Sequence, residues 1–183
     1  MLKFARTLIA TSAGILLIAI GTQANAATVP GGTFTVTATV AASCKTAAAN
    51  NIAFGSLDPS SIVADTYLSN SIKVQCTKKT PFTVLMDAGT NPGTAGNVAT
   101  RQMKDAAGDF LPYHLCTVNP CTGDIANVTP ATGGNVNLAG TGTGTGSGNA
   151  VTLNFFGEVA LTDLQLAVAS ASYTDTITVT ISY

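Results

Sequence analysis

The sequence predicts an all-β fold, and three observations carry that expectation. Two segments near the ends of the chain, Thr33–Val40 and Thr176–Tyr183, alternate strictly between apolar and hydroxyl-bearing residues up to the closing Tyr183. Short runs rich in β-branched and aromatic residues lie between them, separated by clusters of Gly, Pro, Asn, Asp and Ser. No stretch joins a helical apolar period to capping residues, although 159–171 has room for a helical turn. Regularly spaced strands and turns of this kind argue for a sandwich or a barrel.

The chain opens with Lys3 and Arg6, an apolar run Leu8–Ile20, and small residues at Ala24 and Ala26. These are the three regions of a secretory signal peptide, so residues 1–26 are expected to be cleaved. The apolar run is well short of the about 20 residues that cross a bilayer, and no later segment is longer. The mature protein is therefore not expected to be membrane-embedded, and 27–183 is enough for one domain with a real core.

In the first alternating segment Phe34, Val36, Ala38 and Val40 share one face, and Thr33, Thr35, Thr37 and Thr39 share the other. That is the pattern of a strand with one buried face. Pro30, Gly31 and Gly32 break the chain before it, so it has no hairpin partner on that side. Further strands are expected at Ile52–Gly55, Ser71–Cys76, Phe82–Met86, Phe110–Leu115 and Val151–Phe156, with turns at 58–61 and 89–93.

The Gly-Thr tract within Gly133–Gly148 reads as a mobile surface loop. It carries neither the Lys of a P-loop nor the glycine spacing of a dinucleotide fingerprint. The final segment places Ile177, Val179, Ile181 and Tyr183 on one face, and no residues follow it to form a strand alongside.

Charged residues make up only 9% of the chain, against about a quarter in a typical domain. Charge is the usual guard against edge-to-edge pairing of strands, so this surface suits an assembling protein. Loss of Lys3 and Arg6 with the signal peptide leaves an acidic excess and no basic cluster beyond Lys78 and Lys79. No nucleic-acid partner is expected.

Catalytic patterns are weak. His114 is the sole histidine, and the carboxylates lie singly, mostly beside turn residues where Asp hydrogen-bonds the backbone. No G-x-S-x-G elbow occurs. A zinc site built on Cys116, Cys121 and His114 is one ligand short of a tetrahedron. No enzyme activity, metal or cofactor is expected. Four cysteines in an exported chain suggest two disulfides. Of the three possible connectivities the simplest pairs Cys44 with Cys76 and Cys116 with Cys121.

Several short pieces together resemble the spore coat protein U family, which includes the pilins of archaic, Csu-type chaperone/usher pili. They are the alternating strand ending in Cys44, Phe54-Gly55, Ile72-Lys-Val-Gln-Cys76, Arg101-Gln-Met103, Leu111-Pro-Tyr-His-Leu115, Phe156-Gly157-Glu-Val159 and Tyr173-Thr-Asp-Thr-Ile-Thr-Val179. Two segments depart from the family pattern: 160–168, which replaces a Pro- and Gly-bearing turn, and the connection holding Cys116, Cys121 and the Gly-Thr tract.

The resemblance implies an incomplete immunoglobulin-like sandwich lacking its last strand, with a hydrophobic groove beside the C-terminal strand flanked by Ile177, Val179, Ile181 and Tyr183. It divides the chain into signal peptide 1–26, an N-terminal donor-strand segment 27–43 leading into the first strand, and a pilin domain 44–183. Phe34, Val36, Ala38 and Val40 of one copy are expected to fill the groove of the next copy. The implied partners are neighbouring copies in a head-to-tail polymer, other pilus subunits, a periplasmic chaperone and an outer-membrane usher. The implied destination is the cell surface, reached through the periplasm, with a role in adhesion and biofilm formation. An exported adhesin domain, or a coat or matrix protein that no chaperone polymerises, is the alternative. Alternation alone leaves open whether Thr33–Val40 pairs within its own molecule or in another.

Overall fold

The computed structural model describes residues 28–183, so the expected signal peptide lies outside the described residues. The chain divides into two units, 1–38 and 39–183. Of the first, residues 28–38 form neither helix nor strand, and all of them are exposed.

The second unit is built almost wholly of antiparallel strands: β1 (Cys44–Ala49), β2 (Thr66–Cys76), β3 (Pro81–Met86), β4 (Gln102–Lys104), β5 (Phe110–Pro112), β6 (His114–Cys116), β7 (Leu138–Thr141), β8 (Val151–Val159) and β9 (Val179–Ser182). One short helix, α1 (Leu161–Leu164), follows β8 where the sequence leaves room for a helical turn. One sheet runs β1-β2-β8-β6, a second runs β7-β3-β9, and β4 and β5 form a two-stranded ribbon.

Period-two alternation decides what each strand buries. Ile72, Val74 and Cys76 of β2 point inward with Phe155 and Val159 of β8, and Phe82, Val84 and Met86 of β3 do so from the other sheet. Leu111, Tyr113, Leu115, Ile125 and Leu138 complete the core. Both expected disulfides are formed: Cys44–Cys76 joins the first cross-strand pair of β1 and β2, and Cys116–Cys121 closes the loop after β6.

Several sequence expectations need correction. Thr33–Val40 is not a strand: Phe34, Val36 and Val40 are 87%, 82% and 81% exposed. Alternation encodes a face able to be buried, but a strand also needs a paired edge, and these residues have none among the described residues. Ile52–Gly55 is not a strand either. Ile52 and Phe54 instead lie over Gly157 of β8, where a side-chain carbon would sit 3.0 Å from Ile52 and 3.1 Å from Phe54.

The expected strand at 110–115 is split into β5 and β6 at Tyr113, whose N–H bonds the carbonyl of Arg101. The expected last strand is shortened to β9, and Tyr183 is 61% exposed. Gly133–Gly148 is not simply a loop, because it contains β7, paired with β3. Gly140 lies against the Phe82 ring, leaving only 2.7 Å for an added carbon, and Gly142 is pressed onto the backbone of Thr77. Glycine here permits close packing.

Candidate functional site

β9 pairs with β3 along one edge, with Ile181 opposite Val84 and Val179 opposite Met86. Its other edge has no strand partner among the described residues. Beside it opens a cavity of about 590 Å³. Ile72, Met86, Leu115 and Phe155 supply core side chains to its lining, and Ile52 and Phe54 contribute from the segment after β1. Residues 173–177 and Val179 line it from the C-terminal side, while Asn50, Asn51 and Asn70 add polar groups.

Hydrogen bonds fix the C-terminal wall. Asp175 accepts from the Tyr113 hydroxyl at 2.7 Å, from the Thr90 hydroxyl at 2.6 Å and from the Thr90 N–H at 2.8 Å. Thr174 exchanges backbone hydrogen bonds with Lys104. Asp87 accepts from the N–H groups of Thr178 and Gly89. Burial works against the Asp87 carboxylate, but these hydrogen bonds prevail and hold its pKa below the usual value. Burial and the bond to Asp175 push the Tyr113 phenol up, so it remains a donor.

Of the residues expected to flank a groove, Ile177 and Val179 line this cavity. Ile181 is half-buried against the core, and Tyr183 is exposed. Phe34, Val36, Ala38 and Val40 are all exposed. The sequence reading missed Met103, Tyr113, Tyr173 and Asp175 as lining residues, since only their neighbours across the fold bring them there.

Residues 31–180 match the sequence model of a family described as the Spore Coat Protein U domain. The chain belongs to this family. The matched span takes in the exposed segment 33–40 and reaches into β9, stopping before Ile181 and Tyr183. No curated protein matches. Among solved structures the Spore Coat Protein U chain is similar to the CsuC-CsuE chaperone-tip adhesion subunit pre-assembly complex from archaic chaperone-usher Csu pili of Acinetobacter baumannii. Identity there is 18% and the TM-score 0.48, over 79% of this chain and 40% of the matched one.

A second polar cluster lies inside the Spore Coat Protein U domain. Arg101, with no exposed surface, donates to the carbonyls of Met86, Asp87 and Ile125 and to Asp124 Oδ1 at 3.2 Å. Burial lowers its pKa, and Asp124 opposes that shift. Asp124 also accepts from the N–H of Leu115 and lies 2.9 Å from His114 Nδ1. The bond to Asp124 raises the His114 pKa. Asp124 thus holds β6 and Arg101, and Arg101 in turn holds the end of β3 through the Met86 carbonyl, a structural arrangement that turn chemistry had not suggested. Cys116 and Cys121 are bonded to each other, which removes both sulfurs as thiolate ligands.

Proposed function

We propose that this chain is a structural subunit of a surface pilus, assembled by donor-strand complementation through the archaic chaperone/usher pathway. The observation that carries the reading is the cavity beside the unpartnered edge of β9. The exposed segment 33–40 has the complementary property, an apolar face with no strand partner among the described residues. Inserting Phe34, Val36 and Val40 of one copy beside β9 of the next would gain about 1.5 to 3 kcal/mol per large side chain. Backbone hydrogen bonds to the open edge would add to this, as in other strand-addition complexes. A head-to-tail contact of this kind does not close on itself, so it propagates as a fibre.

In this reading residues 1–26 direct export, 27–43 are the donor segment and 44–183 the acceptor domain. Phe34, Val36, Ala38 and Val40 face the groove, which Ile177, Val179, Ile181 and Tyr183 flank. A periplasmic chaperone covers the groove until an outer-membrane usher exchanges it for the next subunit. The fibre serves adhesion and biofilm formation, and the protein has no catalytic role.

Two variants test this. Removing 27–40 should leave a domain that a co-expressed chaperone still captures but that is absent from fibres. Appending 27–40 after Tyr183 should give a monomer more resistant to urea than the unmodified chain. Normal fibres from the deletion, or no gain from the appended segment, would overturn the reading.

A further inference from the structure

We infer that the outer face of the β1-β2-β8 sheet carries a binding site for an acidic sugar unit, distinct from the cavity beside β9 and independent of the fibre reading. A cleft of about 570 Å³ lies there, lined by Lys45 and Thr46 of β1, Lys73 and Gln75 of β2, Thr152 of β8, and the turn containing Ser147 and Gly148. That is the size of ordinary small-ligand clefts.

Strand register brings the two lysines together. Lys45 stands opposite Gln75, two residues along β2 from Lys73, so the lysines are diagonal cross-strand neighbours. Thr152 stands opposite Lys73 on the other side. No carboxylate lines the cleft. The ion pairs among the described residues are those of Arg101 and His114 with Asp124, which leaves Lys45 and Lys73 without acidic partners. Two like charges at this spacing repel each other, and an anion between them outweighs that repulsion by attracting both.

The rim is prebuilt. Gln75 is only 6% exposed, and its amide donates to the carbonyl of Gly146 at 3.1 Å, tying the 146–149 turn to the sheet. The Thr143 hydroxyl donates to Asn149 O at 2.6 Å, and Asn149 N–H to Gly146 O at 2.9 Å, closing the turn on itself. Thr46, Ser147 and Thr152 add hydroxyl-bearing residues to the lining, and its largest apolar side chain is that of Ala150. Hydroxyls with cations suit a polyhydroxylated anion, and the lack of a large apolar group disfavours a lipid. The ligand class is a sugar carboxylate, as in a polyuronate.

The test is titration of the protein spanning 27–183 with an oligogalacturonate, a neutral malto-oligosaccharide and inorganic phosphate, followed by calorimetry and by amide shifts of Thr46, Gly148 and Thr152. Saturable oligogalacturonate binding that weakens with added salt and falls about tenfold in K45Q/K73Q is expected, since two exposed charge contacts are lost. The control K78Q/K79Q removes the same charge elsewhere and should bind as the unaltered protein does. Equal loss in both double variants would overturn the site in favour of net charge. Phosphate binding as tight as the oligogalacturonate would overturn the sugar assignment, and equal binding of the neutral oligosaccharide would overturn the role of the lysines.

Discussion

The Tyr113 hydroxyl donates a 2.7 Å hydrogen bond to Asp175, joining residues 62 positions apart at the wall of the cavity beside β9. Gly89, at φ +80°, lies so close to this carboxylate that an added side-chain carbon would fall on Asp175 Oδ2 and 2.8 Å from its Cγ. The chain leading into β9 is therefore held by a carboxylate that only glycine can approach so closely.

Gly89→Ala should cost about 1 to 3 kcal/mol, because the left-handed conformation and the contact are both unfavourable for a side chain. Asp175→Ala should also destabilise the fold, since it leaves the Tyr113 hydroxyl and the Thr90 N–H without their acceptor. Urea midpoints measure both. Wild-type midpoints in the two variants would show that the latch is unimportant.

Arg101→Ala should destabilise by about 3 to 5 kcal/mol, because it leaves Asp124 buried beside three backbone carbonyls without their donor. Arg101→Lys should recover little, since an ammonium cannot reproduce the guanidinium's planar fork of donors. Thermal unfolding of the two variants checks this. Near-complete rescue by lysine would mean that charge rather than geometry matters here.

The disulfides should differ in weight. Cys44–Cys76 closes a separation of 32 residues and Cys116–Cys121 one of 5. Loop-closure entropy puts their removal at about 4 and about 2 kcal/mol. Paired Cys→Ser variants, compared by urea unfolding, should rank in that order.

His114 should make stability decline as pH rises past the ordinary imidazole value. Its folded pKa lies above the ordinary 6.5, chiefly through the bond to Asp124, with Glu158 and Asp163 adding attraction and burial opposing it. A group raised in this way contributes fully below its unfolded pKa, and the contribution fades as pH rises through the folded value. Urea midpoints should therefore fall as pH rises from below the ordinary 6.5 through the raised folded value, and His114→Asn should flatten that decline. An unchanged slope in the variant would assign the dependence to another group. Asp87, whose pKa is depressed, has the opposite sign, with its contribution lost as pH falls below the ordinary 3.8.

Much of the fold was legible because β-strand alternation is local. The cores of β2, β3 and β8 stand where apolar runs and turn clusters place them, and the chosen cysteine pairing is the one formed. Of the cavity lining, Ile177 and Val179 were visible for the same reason. Short strands such as β4 and β7 were not, since three or four residues show too little periodicity. Ile52 and Phe54 have a strand's composition, yet Gly157 offers them a packing surface without a ladder.

By itself, then, the sequence determined the β class, the alternating faces and the family, all of which are written in spacings of a few residues. Only the tertiary structure decided that Arg101 and Asp124 are buried together, that Asp175 latches the chain before β9, and that Gly140 and Gly142 pack tightly. It likewise placed Lys45 and Lys73 in one cleft. The physical reason is common to these cases. Burial of a charge, or the space beside a glycine, depends on groups brought from far along the chain, and local alternation carries no record of them.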